Sequence, residues 1–459
     1  MSSRVGSRRA RTISTPLAAA SAIAAAVACA VVGSGAGRGA FDTEARASVA
    51  SIGQTAQDPR AASLSSGGVT RHYEYVFPNG AMYVYDIDHG QRLVQRVPLP
   101  GVHTVRGVVA SPRTHMLYIS YGAYGGPGTI GRLLAYNLLT GSVVYNRSYS
   151  RGIDNMAIDP AGNRIYQPDG EDSPDGVWTV IAARRGNVIG SIDGGLGPHE
   201  TVIGLSGKSV YLAGIHWPWL EVASTATDRV VKRIGPLRGG VRPFTINGRE
   251  TIAYTTATSH RGFQVSSIRT GRVLFTVSFP PLARPDPGDH TPSHGISLTP
   301  NERQVWVMDG PTDSVRVFDV SGVPQREPTQ IADIRLVHHL TSDGWVQMSR
   351  SGCFVYIGDS GDVLSTESLR PVAYLPALRT TKQSIEIDCL VACRWRRARA
   401  PGSATSCEGP SRRLRHVADQ VARPDGIRRG SPASWSRGCG YPQLRHRQGG
   451  GSRRRGSVR

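Results

Sequence analysis

Polar residues recur in this 459-residue chain at a fixed distance ahead of a repeated Tyr or Trp. Counting back 12 residues from each aromatic gives two Arg, two His, one Asp and one Gly: Arg106, Asp154, His199, Arg242, His294 and Gly344. Arg offers paired donors to a carboxylate or phosphate, and His adds a donor or a proton. If these positions converge, the sequence predicts a binding site for a small anionic or polar ligand, and Glu200 adds a further acid.

Two other interpretations of the same residues remain open. His199, His294 and Asp154 are possible metal ligands, although they would come from separate repeats several ångströms apart. Polar residues at such positions also cap strands and hydrogen-bond to neighbouring repeats or to water. We predict no metal, no cofactor and no catalytic residue, because the chain has neither a Cys-x-x-Cys-His haem sequence nor a Gly-x-Ser-x-Gly nucleophile elbow.

The elements that would position these residues are short strands of alternating apolar character, which begin near residue 70. The repeated aromatic belongs to the second strand of each unit. Its occurrences are 43 to 52 residues apart, at Tyr118, Tyr166, Tyr211, Tyr254, Trp306 and Tyr356. This is the length of a four-stranded propeller blade with variable outer loops.

The number of hairpins predicts how the array closes. Seven outer hairpins are present, but only six inner hairpins are complete, because the first unit has a single inner strand at residues 72–77. A separate strand candidate, residues 384–388 (SIEID), follows the last outer hairpin. If it becomes the innermost strand of the first blade, the chain forms an all-β, seven-bladed propeller of four-stranded antiparallel blades.

Closure of this kind gives the polar positions a common place. In a propeller, each innermost strand begins at the same mouth of the central channel. We therefore expect the side chains of Arg106, Asp154, His199, Arg242 and His294 to converge at that mouth.

The repeated inner hairpins, such as residues 108–112 (VVASP) with 116–119 (MLYI), resemble those of the YVTN-type β-propeller repeat proteins. Residues 197–201 (GPHET), 242–248 (RPFTING) and 292–295 (PSHG) are similar to a YncE-like subgroup. The WD40 type is disfavoured because no Gly-His and Trp-Asp pairs occur. The resemblance covers about residues 70–388 and implies a bacterial, secreted or cell-envelope protein, without implying a reaction.

Composition divides the chain into four regions. Residues 1–40 have a basic start and an Ala-rich apolar run at 17–32, which predicts a signal peptide of either the Sec or the twin-arginine type. Residues 41–69 are a predicted flexible linker, and 70–388 are the propeller. Residues 389–459 form a predicted disordered tail that holds 17 of the 51 Arg residues and no Lys.

The formal charge of +20 comes mostly from the two ends of the chain, and residues 41–388 carry a net charge of only +1. We therefore expect no nucleic-acid partner for the propeller, and no membrane span once the signal is cleaved. The Arg-rich tail has the composition of a GC-rich gene read out of frame, so we interpret it as a possible frameshift product. The functional alternative is a basic arm that binds nucleic acid or an anionic polymer.

The sequence thus favours an extracytoplasmic, non-catalytic binding scaffold, whose partner is a small anionic or polar ligand or a protein. The alternative is an enzyme on the same scaffold, either a lactonase-like hydrolase or a quinoprotein-like oxidoreductase.

Overall fold

The computed structural model describes residues 68–126, 128–285 and 289–392, together with the backbone of 28–29 and 413–416. Except for residues 28–29 of the predicted signal peptide, residues 68–69 of the predicted linker and a few residues of the predicted tail, these three regions therefore lie outside the described residues. The frameshift hypothesis concerns the tail and likewise stays a prediction.

The strands of the first three blades follow one another along the chain. After β1 (Ala28–Cys29), they are β2 (Gly68–Val76), β3 (Ala81–Asp86), β4 (Arg92–Pro98), β5 (Val105–Ser111), β6 (Met116–Gly122), β7 (Gly131–Asn137), β8 (Ser142–Tyr149), β9 (Ala157–Ile158), β10 (Arg164–Pro168), β11 (Val177–Ala182) and β12 (Asn187–Asp193).

The remaining blades continue in the same order. Their strands are β13 (Pro198–Ile203), β14 (Ser209–Gly214), β15 (Leu220–Ser224), β16 (Arg229–Ile234), β17 (Val241–Ile246), β18 (Ile252–Ala257), β19 (His260–Ser267), β20 (Val273–Ser278), β21 (Ile296–Leu298), β22 (Gln304–Asp309), β23 (Ser314–Asp319), β24 (Thr329–Arg335), β25 (Trp345–Met348), β26 (Phe354–Gly358), β27 (Asp362–Ser365), β28 (Arg370–Tyr374), β29 (Ser384–Ala392) and β30 (Arg413–His416).

These strands form seven sheets, and each sheet contains one antiparallel four-stranded blade. Blades 2 to 7 are consecutive quartets, from β5–β8 to β25–β28. Blade 1 has the order β29-β2-β3-β4, with β30 and β1 added beyond β29. The predicted seven-bladed propeller is therefore confirmed.

The closing strand is also confirmed. The innermost strand of blade 1 is β29, which pairs antiparallel with β2 from Ser384↔Val76 to Ala392↔Gly68. The strand continues past the predicted boundary at residue 388 and includes Cys389, which is buried in the core of blades 1 and 2. Ring closure therefore depends on a strand supplied by the C-terminal side of the propeller.

The repeated aromatics explain why the blades pack. All six lie on the second strand of their blade and are at most 3% exposed. Each contributes to an apolar cluster; for example, Trp306 of blade 6 joins Val346 and Ile357 of blade 7. The core is thus a ring of clusters between blades, stabilised mainly by burial of apolar area.

Helical structure in the described ranges is limited to three short 3-10 turns, at Ile87–His89, Gly310–Thr312 and Pro376–Thr380. No helix among the described residues has the length and apolar character needed to cross a membrane.

Candidate functional site

All six sequence-predicted positions, at the predicted channel mouth, are linked by contacts across blades 2 to 7. His199 Nδ1 lies 3.1 Å from Asp154 Oδ2, and the His199 and His294 ring centroids are 5.7 Å apart. His294 Nδ1 is 3.0 Å from the carbonyl oxygen of Gly344. The side chains of Arg106 and Arg242 both face Glu171, a residue that the sequence did not predict for the site.

Local breaks in strand pairing present three of these side chains. The register between the first and second strands shifts around Arg106 in β5, around His199 in β13 and around Arg242 in β17. A bulge of this kind leaves a residue out of the ladder and redirects its side chain. The repeated bulge at the strand entry explains why these residues are presented at the mouth instead of packing as ordinary strand residues.

Glu171 is the residue at which the cationic side chains meet. It lies on the loop between β10 and β11, and its carboxylate is 3.3 Å from His199 Nδ1. Arg242 Nη1 is 3.6 Å from Glu171 Oε2, and Arg106 Nη2 is 3.9 Å from Glu171 Oε1. A single carboxylate therefore faces three basic side chains from three other blades.

Close backbone contacts fix the Glu171 loop. Gly170 has a φ of +96°, and a Cβ at this position would collide with the carbonyl group of Tyr124. The amide of Asp172 donates to the Tyr124 oxygen at 3.1 Å, and that of Ser173 donates to the Gly170 oxygen at 3.0 Å. Because only glycine permits this approach, Gly170 determines where the carboxylate of Glu171 lies.

His199 is almost completely buried, with 4% of its surface exposed. Burial alone would disfavour the charged imidazole, but Asp154 and Glu171 outweigh it and raise the pKa of His199 to about 9. In turn, burial would raise the pKa of Glu171, yet hydrogen bonding and charge from His199, with Arg242 and Arg106, hold it well below its usual range. The site at neutral pH therefore contains an imidazolium and an ionised Glu171.

Three donors at this cluster have no hydrogen-bond partner among the described residues although their atoms are buried. They are Nε and Nη2 of Arg106 and Nε2 of His199. The Arg106 guanidinium lies over the Tyr124 ring, with Cζ 3.0 Å from the centroid, so its position is fixed by an aromatic face. These N–H groups can donate hydrogen bonds to a ligand that carries oxygen acceptors.

Arg242 and Glu200 occupy the neighbouring part of the mouth. Arg242 Nε donates to the Thr258 hydroxyl at 3.1 Å, which orients its guanidinium toward Glu171. Glu200 accepts a hydrogen bond from the Phe244 amide at 2.9 Å. Burial raises the pKa of Glu200 to about 8, partly offset by His199 and that amide, so Glu200 is mainly protonated at neutral pH.

The surroundings of His294, next to His199, differ in charge. His294 packs beside Trp345, with ring centroids 5.4 Å apart. Burial, followed by the charges of Lys382 and His199, lowers the pKa of His294 well below its ordinary value. Lys382 instead pairs with Asp343 at 2.8 Å, and although burial would raise the pKa of Asp343, Lys382 contributes to lowering it to about 2. His294 is therefore neutral.

One group among the described residues has the spacing needed to hold a metal ion: Asp154, Glu171 and His199, whose ligand atoms lie within 4.8 Å of one another. It differs from the metal alternative drawn from the sequence by including Glu171 in place of His294. A metal at this position would displace the His199 proton. It would also stand beside the guanidinium groups of Arg106 and Arg242, so the charge distribution suits a protonated imidazole better.

Several members of the cluster escaped the sequence analysis: Tyr124, Glu171, Asp343, Trp345 and Lys382. Glu171 follows the repeated aromatic of its blade, Tyr166, by five residues, but the equivalent positions in other blades carry no acidic residue. The loops between second and third strands differ from blade to blade, so periodicity gives no signal there. The one available hint is the acidic run of residues 169–175.

No family model and no curated protein sequence matches the chain. Among solved structures, the chain resembles a putative 6-phosphogluconolactonase from Bacteroides uniformis, with 13% identity, a TM-score of 0.54 and coverage of 69% of this chain and 99% of that one. A second putative 6-phosphogluconolactonase, from Bacteroides fragilis, gives 12% identity, a TM-score of 0.52 and coverage of 72% and 100%. Hydrazine synthase from Kuenenia stuttgartiensis matches at 16% identity and a TM-score of 0.46, over 59% of this chain and 80% of that one. At these identities, the two lactonase-like structures support the β-propeller fold alone.

Proposed function

We propose that the protein is a non-catalytic binding scaffold that takes a small anionic ligand at the channel mouth formed by Arg106, His199 and Arg242. The observation that carries this proposal is the set of buried, unpartnered donors on Arg106 and His199. A buried donor without a partner costs roughly 1–3 kcal/mol. A ligand with oxygen acceptors would remove that cost, and three basic side chains would favour its negative charge.

The test is thermal unfolding of the purified full chain with acetate, sulfate and inorganic phosphate at constant ionic strength. A ligand that binds only the folded state raises the unfolding temperature. We expect at least one anion to stabilise the protein and Arg106→Ala to abolish the effect. Arg185→Ala is the matched control, because Arg185 is exposed in the outer hairpin between β11 and β12.

Equal stabilisation of the wild type and Arg106→Ala would contradict the proposal, since the anion would then act elsewhere or through the bulk solvent. The enzyme alternative, a lactonase-like hydrolase or a quinoprotein-like oxidoreductase, gives a separate outcome. Turnover of a lactone, or copurification of a redox cofactor, would replace the binding-scaffold proposal.

We also infer that the propeller is of the YVTN type and acts outside the cytoplasm. The support is the sequence of the inner hairpins and the basic and apolar pattern of residues 1–40. Fusing residues 1–40 to a reporter enzyme that is active only after export tests the location. A reporter retained in the cytoplasm would contradict it.

A further inference from the structure

The carboxylate of Glu171 already occupies the place where an anion would be attracted. Its oxygens face His199, Arg242 and Arg106 at 3.3, 3.6 and 3.9 Å. The Glu171 side chain is 20% exposed, so it lies at the solvent-accessible surface of the cluster. Any anion that binds these three residues must share their charge with Glu171 or replace it.

The contacts of Glu171 are poor in hydrogen bonds. Charge-assisted bonds between Arg and carboxylates are normally about 2.7–2.9 Å and often bidentate, whereas both Arg distances here exceed 3.5 Å. Arg106 consequently has two buried N–H groups without a partner. Glu171 neutralises the cluster electrostatically without a hydrogen bond to either Arg, so a free carboxylate can form bonds that Glu171 does not form.

The loop geometry accounts for this incomplete fit. The close approach of Gly170 to Tyr124 and the hydrogen bonds donated by the amides of Asp172 and Ser173 fix the backbone of this loop. The position of the Glu171 carboxylate is therefore limited by its own backbone, while a separate molecule has no such restriction. The loop provides a tethered carboxylate that is held near the three cations but is not seated against them.

We propose that Glu171 is a built-in competitor, and that the ligand of this site is an organic carboxylate that displaces it from Arg106, His199 and Arg242. This inference rests on the proposed anion-binding function and assigns its ligand class and its regulation. When the ligand carboxylate enters, the side chain of Glu171 moves toward solvent. The cluster thus changes one carboxylate for another and retains its net charge.

A gain of affinity for a free carboxylate is expected when the competing charge of Glu171 is removed. The apparent affinity of a site that is open for only a fraction of the time is reduced by that fraction. In Glu171→Gln, the amide keeps the size of the side chain but loses the charge, so acetate should bind about tenfold more tightly than to the wild type. Isothermal titration calorimetry with acetate on the full chain measures the change.

A neighbouring residue provides the control. Asp172→Asn removes the same charge from the same loop, but the Asp172 side chain is exposed and makes no contact with the three cations. Its acetate affinity should stay within about twofold of the wild type. An equal gain in Asp172→Asn and Glu171→Gln would overturn the inference, since general electrostatics would then suffice. Glu171→Ala is a second variant, in case the amide perturbs the loop.

The outcomes separate this inference from the proposed function. If the wild type binds acetate through Arg106 but Glu171→Gln binds no more tightly, the competitor role is wrong and the anion site stands. If neither protein binds acetate but the wild type binds sulfate or phosphate through Arg106, the carboxylate assignment is wrong and the anion site stands. If neither protein binds any of the three anions, or if Arg106→Ala binds them normally, both proposals fail. A gain for inorganic phosphate as large as that for acetate would overturn the carboxylate assignment.

Discussion

His199 and His294 stand at equivalent positions of two blades, yet they lie in opposite electrostatic environments. The ring centroids are 5.7 Å apart, and both side chains are buried. Asp154 and Glu171 contact His199 and raise its pKa to about 9, whereas the ring nitrogen Nδ1 of His294 meets only a backbone carbonyl. Burial and nearby cations then keep His294 neutral.

The difference shows that the position and the charge of these side chains are determined by different parts of the propeller. The repeated strand entry determines where a side chain is presented, because it is the same in each blade. The charge of that side chain depends on neighbours outside the repeat, such as Glu171 on a blade-specific loop. Opposite dependence of stability on pH is therefore expected from two residues of one type.

The largest expected effect concerns His199 under alkaline conditions. Its pKa is about 9 in the folded protein and about 6.5 when unfolded. The stabilising contribution is present below the unfolded pKa and is lost as pH rises through 9. Wild type should lose about 2–3 kcal/mol more than His199→Asn between pH 7 and pH 10. Urea unfolding measures this difference, and identical alkaline slopes would contradict it.

His294 should act under acidic conditions. Because its folded pKa is lowered, the unfolded protein takes up a proton below about pH 6.5 that the folded protein does not bind. Stability therefore falls as the pH decreases below about 6.5. His294→Asn should remove this part of the acid loss. A variant with the full wild-type acid loss would show that His294 is not the group concerned.

A smaller effect is expected at the closing seam, which is the pairing of β29 with β2. A buried acid there lacks the charged partners that His199 has. Glu74 of β2 is fully buried, and its register partner on β29 is Glu386. Burial raises the pKa of Glu74 well above normal, so ionising its carboxyl group costs more free energy in the folded than in the unfolded protein. The free energy of unfolding therefore falls as the pH rises above the pKa that Glu74 has in the unfolded protein. We expect Glu74→Gln to stabilise the propeller by about 1 kcal/mol near pH 9.

The matched control for Glu74→Gln is Glu367→Gln, since Glu367 is exposed on the outer hairpin of blade 7. It should leave the unfolding midpoint unchanged at both pH 6 and pH 9. A loss of stability in Glu74→Gln at pH 9 would mean that the carboxylate is ionised and paired there. In that case, the seam would resemble the His199 side of the mouth.

Sequence reasoning reached the fold because the fold repeats. The spacing from Tyr118 to Tyr356 gave the blade length, and the unmatched strand at residues 384–388 gave the closure. Counting back from each aromatic also located Arg106, His199 and Arg242, since the bulge that presents them recurs at the same step. Whatever follows the period can be found in this way.

The charges at the site could not be found by the same method. Glu171 lies on a loop whose shape depends on glycine contacts with another blade, and Lys382 precedes the closing strand. Neither has a counterpart at the same step in other blades. The sequence therefore predicted a ring open to an anion, whereas the structure has a carboxylate of the protein itself within the ring.

The most direct test of this account is the pH titration of the two imidazoles by NMR, with ¹⁵N-labelled histidine and with His199→Asn and His294→Asn for assignment. The account predicts that His199 titrates near pH 9 and that the pKa of His294 lies well below its ordinary value. It also predicts that Glu171→Gln lowers the pKa of His199, since one of its two carboxylate partners is neutralised. Titration of both rings near pH 6.5, unaffected by Glu171→Gln, would contradict it.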